Sequence, residues 1–177
     1  GVEFPGGPQI EVFAEKGDPN KYDLPKPIFN KGGCNLSFAG LKTAILKISK
    51  NIKTEQEKFD LAASFQKTVE EILYKKTKIA CSEFEKQNDL KDKIFVVAGG
   101  VAANKKIRSM LTDLCNEEGY ISMFPPIEFC GDNAAMIAMV GLEKFKKGEF
   151  SELSHPAKPR WQLDENAIFL KGAGVKL

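Results

Sequence analysis

Apolar positions recur at helical spacing through most of the first half of the chain. Ile10, Phe13 and Ala14 share one face of a short helix that Gly17 is placed to end. Leu41, Ile45, Leu46 and Ile48 form the stripe of a second helix. A longer one follows. Thr54 and Glu57 have capping-box spacing, and Phe59, Ala62, Phe65, Val69, Ile72, Leu73, Ile79 and Ala80 extend the stripe to about Phe84. Lysines and glutamates fill the opposite face, which reads as solvated. The segment Pro5 to Gly33 is loop-rich, holding five of nine prolines and five of fifteen glycines.

At Lys93 the pattern changes. Ile94 to Ala98 is a continuous apolar run stopped by Gly99-Gly100, which predicts a buried strand. Asn104 is placed as an N-cap, Ile107, Leu111, Leu114 and Cys115 make an apolar helix face, and Gly119 stands where a C-terminal glycine belongs. A second strand is expected from Tyr120 to Phe124, before Pro125-Pro126. Asp132 can cap a last helix, Asn133 to Lys147, closed by Gly148 and lined with the small residues Ala134, Ala135, Ala138 and Gly141. The tail after Ser151 is polar and irregular. Residues 1–92 thus read as a loop-rich helical segment and 93–177 as an α/β part. Two strands leave open sheet edges, so partner strands are expected outside these residues. The absence of an initial methionine is a further hint of truncation.

Composition narrows the class. A length of 177 residues fits one domain at roughly 100 to 200 residues each, and 42% apolar with 28% charged residues is ordinary for a globular chain. The formal charge of +2 gives no argument for nucleic acid by itself. Only Arg108 and Arg160 are arginine, so bidentate phosphate recognition by arginine is confined to two places. His155 is the single histidine, which excludes a site built on paired histidines within the chain. Cys34, Cys81, Cys115 and Cys130 contain no C-x-x-C pair, so a zinc ribbon or thioredoxin motif is excluded. Most are expected to be reduced packing residues in a cytoplasmic protein. No apolar run is long enough to span a membrane, and no signal-peptide pattern is present.

The strongest candidate for chemistry is Val97-Ala98-Gly99-Gly100-Val101-Ala102-Ala103-Asn104. Glycines at a strand end let backbone approach a ligand, and the following helix aims free N–H groups at the same spot. The dinucleotide fingerprint is unmatched, and a tight structural turn is the alternative. In Cys130-Gly131-Asp132-Asn133-Ala134-Ala135-Met136 the aspartate reads first as a cap, and as a ligand to a hard cation only if others arrive from elsewhere. Phe4-Pro5-Gly6-Gly7-Pro8 with Glu11 could reach a ribose, although a plain turn is the simpler reading. His155 reads as a surface residue.

Together, Pro5-Gly6-Gly7-Pro8, Lys16-Gly17-Asp18, Leu36-Ser37-Phe38-Ala39-Gly40-Leu41-Lys42-Thr43, Ala98 to Asn104 and Cys130 to Ala138 stand in the order and approximate spacing of one family. The chain resembles the C-terminal half of the TsaD family, tRNA adenosine threonylcarbamoyltransferases once described as O-sialoglycoprotein endopeptidases, up to Arg160-Trp161. The resemblance implies an actin/Hsp70/sugar-kinase (ASKHA) lobe, ribonuclease-H-like, with a largely helical insertion. It implies transfer of threonylcarbamoyl from threonylcarbamoyl-AMP to the adenosine beside the anticodon of tRNA, with TsaB-like and TsaE-like partner proteins. By the family pattern Gly7 and Glu11 lie at the ribose of the adenylate, Gly99, Gly100 and Asn104 at its adenine or neighbouring groups, and Asp132 on one divalent metal, iron or zinc. Lys42 is a candidate phosphate or tRNA contact. No residue here is assigned as catalytic, and the remaining metal ligands are expected outside the chain, which alone should be inactive. Ala39 and Gly131 replace the family's usual serine and threonine, removing a hydroxyl at each turn. A non-catalytic nucleotide-binding scaffold and a metallopeptidase are the alternative functions.

Overall fold

The computed structural model describes residues 2–88 and 91–157. Arg160 and Trp161, where the resemblance ends, lie outside the described residues. Two compact units are formed, Gly1–Gly131 and Asp132–Leu177. The first contains helices α1 (Gly6–Ala14), α2 (Leu41–Ser49) and α3 (Glu55–Gln87), strand β1 (Ile94–Val96), helix α4 (Lys105–Glu117) and strand β2 (Ile121–Met123). Helix α5 (Ala134–Lys146) belongs to the second. The change of pattern at Lys93 and the division after Gly131 describe different things. The former marks where helices give way to β-α-β, while α3 packs on α4 across it within one unit.

Helix α3 organises the first unit. Its 33 residues span about 50 Å at ~1.5 Å per residue. The expected capping box forms: Thr54 Oγ1 accepts from the Glu57 N–H at 3.2 Å, and the Glu57 carboxylate accepts from the Thr54 N–H at 3.1 Å. One side of α3 packs with α2 around Leu24, Leu41 and Leu61. Farther along, Val69, Leu73 and Tyr74 meet the buried Ile107, Leu111 and Leu114 of α4. Each fully buried leucine or isoleucine contributes roughly 1.5–3 kcal/mol.

Five expectations are corrected. Gly6-Gly7-Pro8 is not a plain turn but the first turn of α1, where proline removes an N–H that has no helical partner anyway. Leu46 is 56% exposed, since Leu41, Ile45 and Ile48 suffice to seat α2. The polar side of α3 is not uniformly solvated, because Asp60, Ser64 and Lys76 are buried under the loop 18–33. Asp60 Oδ1 accepts from the Asp18 N–H at 2.9 Å and Ser64 Oγ from the Tyr22 N–H at 3.1 Å. Lys76 Nζ donates to the carbonyls of Lys31 and Gly33 at 2.7 and 3.1 Å. Those polar groups supply partners for a segment with no regular hydrogen bonding of its own.

The fourth correction concerns the sheet. β1 and β2 pair in parallel, Ile94 with Ile121 and Val96 with Met123, as a β-α-β unit requires. Yet Ile94 and Val96 are 52% and 65% exposed. Within the first unit α4 covers one side of the ladder, where Phe95 packs, and the alternate side chains point the other way.

Asn104 and Gly119 behave as expected. Asn104 Oδ1 accepts from the Ile107 N–H at 3.0 Å, and Gly119 has φ +73° beyond α4. Helix α5, however, is capped by Asn133, whose Oδ1 accepts from the Met136 N–H at 3.0 Å, and not by Asp132. An asparagine one residue later has the reach the cap needs, so the aspartate is released from that role. Among the described residues no helix is long and apolar enough to cross a membrane.

Candidate functional site

The two segments that the sequence offered separately meet around one cavity of about 400 Å³. α1 contributes Gly7, Pro8, Ile10 and Glu11, α3 contributes Phe65, Gln66 and Val69, and the β1–α4 turn contributes Gly100, Val101, Ala103 and Asn104. That volume lies within the ~300–1,000 Å³ typical of small-molecule sites, and the lining is mostly apolar with a few convergent polar groups. Gly99 stands at the strand end with φ +90°, a conformation that side-chain-bearing residues rarely adopt, and the chain then turns through a 3-10 segment, Gly100–Ala103.

Glu11 closes the floor. Its Oε1 accepts from the backbone N–H of Lys105, the first residue of α4, at 2.7 Å. A carboxylate at the positive end of a helix is stabilised there, which pins α1 to α4 across 94 positions of sequence. Asn104 is used twice. While its carbonyl caps α4, its amide donates to Gln66 Oε1 at 3.0 Å, leaving one N–H of that amide for a ligand. Burial pushes the Glu70 carboxyl up, with Lys106 and the Gln66 hydrogen bond acting against that. Gln66 is a site residue that periodicity missed; it stands between Phe65 and the polar Lys67 and Thr68, so nothing local set it apart from the solvated side of α3.

Arg108 holds the turn from behind. Its guanidinium donates to the Ala102 and Pro125 carbonyls, the latter at 2.7 Å, and to Cys130 Sγ at 3.1 Å, and it stacks 4.9 Å from the Phe124 ring. One of the two arginines is therefore committed to backbone rather than to phosphate. The cysteines Cys81, Cys115 and Cys130 are buried and Cys34 is exposed. Burial pushes the Cys81 and Cys115 thiols up, which keeps them protonated and unreactive.

Asp132 lies in the second unit, exposed, beside Asn133 and the first turn of α5. No group of three or more His, Cys, Asp or Glu side chains that could hold a metal ion occurs among the described residues. One carboxylate supplies at most a fraction of a four- to six-fold shell, so these residues do not by themselves fit a metal centre. Lys42 stands on the exposed side of α2, at its second position.

A parallel strand–turn–helix whose glycine turn faces a ligand-sized cavity makes this an α/β protein with a candidate small-molecule site. Residues 1–139 match the family model TsaD: tRNA N6-adenosine threonylcarbamoyltransferase, and the chain belongs to that family. It is 76% identical over its full 177 residues to the tRNA N6-adenosine threonylcarbamoyltransferase of Pelagibacter ubique (strain HTCC1062), covering 50% of that relative. With the proteins of the same name from Rickettsia massiliae (strain Mtu5) and Rickettsia bellii (strain OSU 85-389) it shares 47% and 45% identity over 93% of its length, covering 48% and 49% of theirs. The chain thus spans about half the length of the curated relatives it matches.

Proposed function

We propose that the chain forms part of a tRNA N6-adenosine threonylcarbamoyltransferase, an ASKHA-type enzyme, and that its cavity receives the adenylate portion of threonylcarbamoyl-AMP. One observation supports this above others: Gly7, Glu11, Gly100 and Asn104, separated by up to 97 positions, line the same cavity. The chemistry of the lining suits the ligand. Ile10, Val69, Val101 and Ile107 offer apolar contact to a purine, and the free amide N–H of Asn104 can donate to a ring nitrogen. Glu11 accepts hydrogen bonds, so it suits ribose hydroxyls. Its charge at the α4 N-terminus would repel a phosphate there, directing the phosphate and the acyl group outward.

In the transfer, the adenosine N6 amine attacks the carbamoyl carbon, the bond from that carbon to the phosphate oxygen breaks, AMP leaves with the electron pair, and the amine gives up one proton to solvent. The mixed anhydride supplies the driving force, and this chain holds the adenylate so that the carbonyl meets the amine. Asp132 is proposed as one ligand of a divalent iron or zinc ion whose other ligands lie outside the chain, and no step is routed through that ion. TsaB-like and TsaE-like proteins as partners, and a cytoplasmic setting where tRNA is found, belong to the same reading. The relatives' names favour neither a scaffold nor a peptidase.

The test is binding of AMP to the intact protein by calorimetry. Asn104→Ser keeps a capping oxygen but removes the amide, and should weaken binding by about 1–3 kcal/mol with little change in stability. Asn104→Ala should lose in addition ~0.5–2 kcal/mol of stability. Equal AMP affinity in the wild type and both variants would sink the assignment.

A further inference from the structure

Between Leu24 and Thr54 the chain has six lysines and neither an aspartate nor a glutamate, so that 31 residues hold a charge of +6 while the rest of the chain holds −4. The modest total conceals this asymmetry. Lys42 and Lys47 lie on α2, and Lys50 is its C-cap. Leu41, Ile45 and Ile48 turn one side of that helix to the core, leaving Lys42, Thr43, Leu46, Lys47, Ser49 and Lys50 exposed on the other. Lys42 and Lys50, eight positions apart, lie about 12 Å from each other along the axis, with Lys47 between them.

Five lysines elsewhere are ion-paired among the described residues. Lys26, Lys67, Lys78, Lys93 and Lys146 each meet a glutamate, whereas Lys42, Lys47 and Lys50 have no carboxylate within 4 Å among the described residues. Lys42 sits in the first turn of α2, at the positive end of the dipole, where α3 by contrast places Glu55 and Glu57. Lys47 and Lys50 complement the dipole at the other end but, one turn apart, repel each other. A partner that supplies negative charge along this side would relieve both the misplaced Lys42 and that repulsion. Next to Lys42, Phe38 is 41% exposed beside a shallow hollow that both residues line with Leu41, Ile45 and Phe65. Cations clustered on one element beside an aromatic face are what a nucleic-acid strand engages, phosphates on the lysines and a base on the ring.

We infer that the exposed side of α2, through Lys42, Lys47 and Lys50 with Phe38 at its end, is a surface that binds the phosphate backbone of the RNA substrate. This rests on the proposed transferase reading and assigns that substrate a place beside the adenylate cavity, whose lining includes no residue of α2 but shares Phe65 with the hollow at Phe38. Lysine point charges without arginine forks position a backbone and read no sequence, which fits a contact common to several tRNAs.

The experiment uses the intact protein and unmodified tRNA, with affinity followed across a salt series. The triple variant Lys42→Gln, Lys47→Gln, Lys50→Gln should bind tRNA more weakly and lower the slope of log affinity against log salt by about two, since each phosphate contact contributes roughly 0.7–0.9. Its AMP affinity should match the wild type, and the triple arginine variant should restore tRNA binding. Lys78→Gln, which removes a lysine already paired with Glu118, should leave the slope unchanged. If the triple glutamine variant keeps the wild-type slope while wild type binds tRNA, the surface is wrong and the transferase reading stands. No tRNA binding by wild type would overturn both. Capture of phosphatidylserine vesicles through these lysines, with tRNA affinity unaltered in the variant, would overturn the RNA assignment.

Discussion

Asp60 shows how a single polar side chain can decide local structure. It lies in the second turn of α3, buried, and accepts from the Asp18 N–H and from the Gln56 amide at 2.8 Å. Those hydrogen bonds, the backbone one foremost, hold its carboxyl below the usual carboxylate range. A depressed folded-state value means that Asp60 contributes stability above the unfolded value of roughly 3.9 and loses it as pH falls through the lower folded value. Asp60→Asn in the intact protein should therefore lower stability at neutral pH and flatten its decline in acid, read as the urea midpoint against pH. An unchanged acid limb would show that the carboxylate does not anchor the loop. Asn104 illustrates the same economy of side chains. As a cap it was evident from its place before an apolar helix face, but its second bond to Gln66 joins residues 38 positions apart, which no local pattern contains.

At the scale of elements, the placement of α1 depends on a close approach to α3. A Cβ on Gly17 would lie 2.1 Å from the Phe59 carbonyl oxygen, within backbone that cannot move aside. The glycine was expected to end a helix; its space is needed because two segments touch there. Gly17→Ala should destabilise the intact protein by about 1–3 kcal/mol and, by tilting α1 and with it Gly7 and Glu11, weaken AMP binding as well. Thermal unfolding and calorimetry on the same variant separate the two effects, and wild-type values in both would contradict the packing. The strands teach a related lesson. A continuous apolar run implied burial on both faces, yet one face of β1 and β2 is open, because hydrophobicity states a preference for burial and not which element supplies it.

For the whole molecule, the two units divide the proposed work, adenylate binding in Gly1–Gly131 and a metal ligand at the start of Asp132–Leu177. Since Asn133 and not Asp132 caps α5, and Asp132 is exposed, Asp132→Ala should leave stability within about 0.5 kcal/mol of wild type. Metal content of the intact protein, measured by elemental analysis, should fall sharply. Full metal content in the variant would remove Asp132 from the coordination shell.

The sequence alone determined what is local or collective in order. Helix α3 with its capping box, the α4 stripe with Asn104 and Gly119 at its ends, and the strand–turn–helix follow from the 3.6 period, from one continuous apolar run and from the few residues that can cap or turn a chain. The ordered motifs likewise sufficed to recognise the TsaD family. Only the tertiary structure decided which separated segments share a cavity, that Glu11 binds the start of α4, that Arg108 is spent on the glycine turn, and that Asp60, Ser64 and Lys76 are buried anchors. The reason is physical. Periodicity records which way a side chain faces along its own element, whereas a polar group's partner is fixed by the packing of elements far apart in the chain, where each buried donor must find an acceptor.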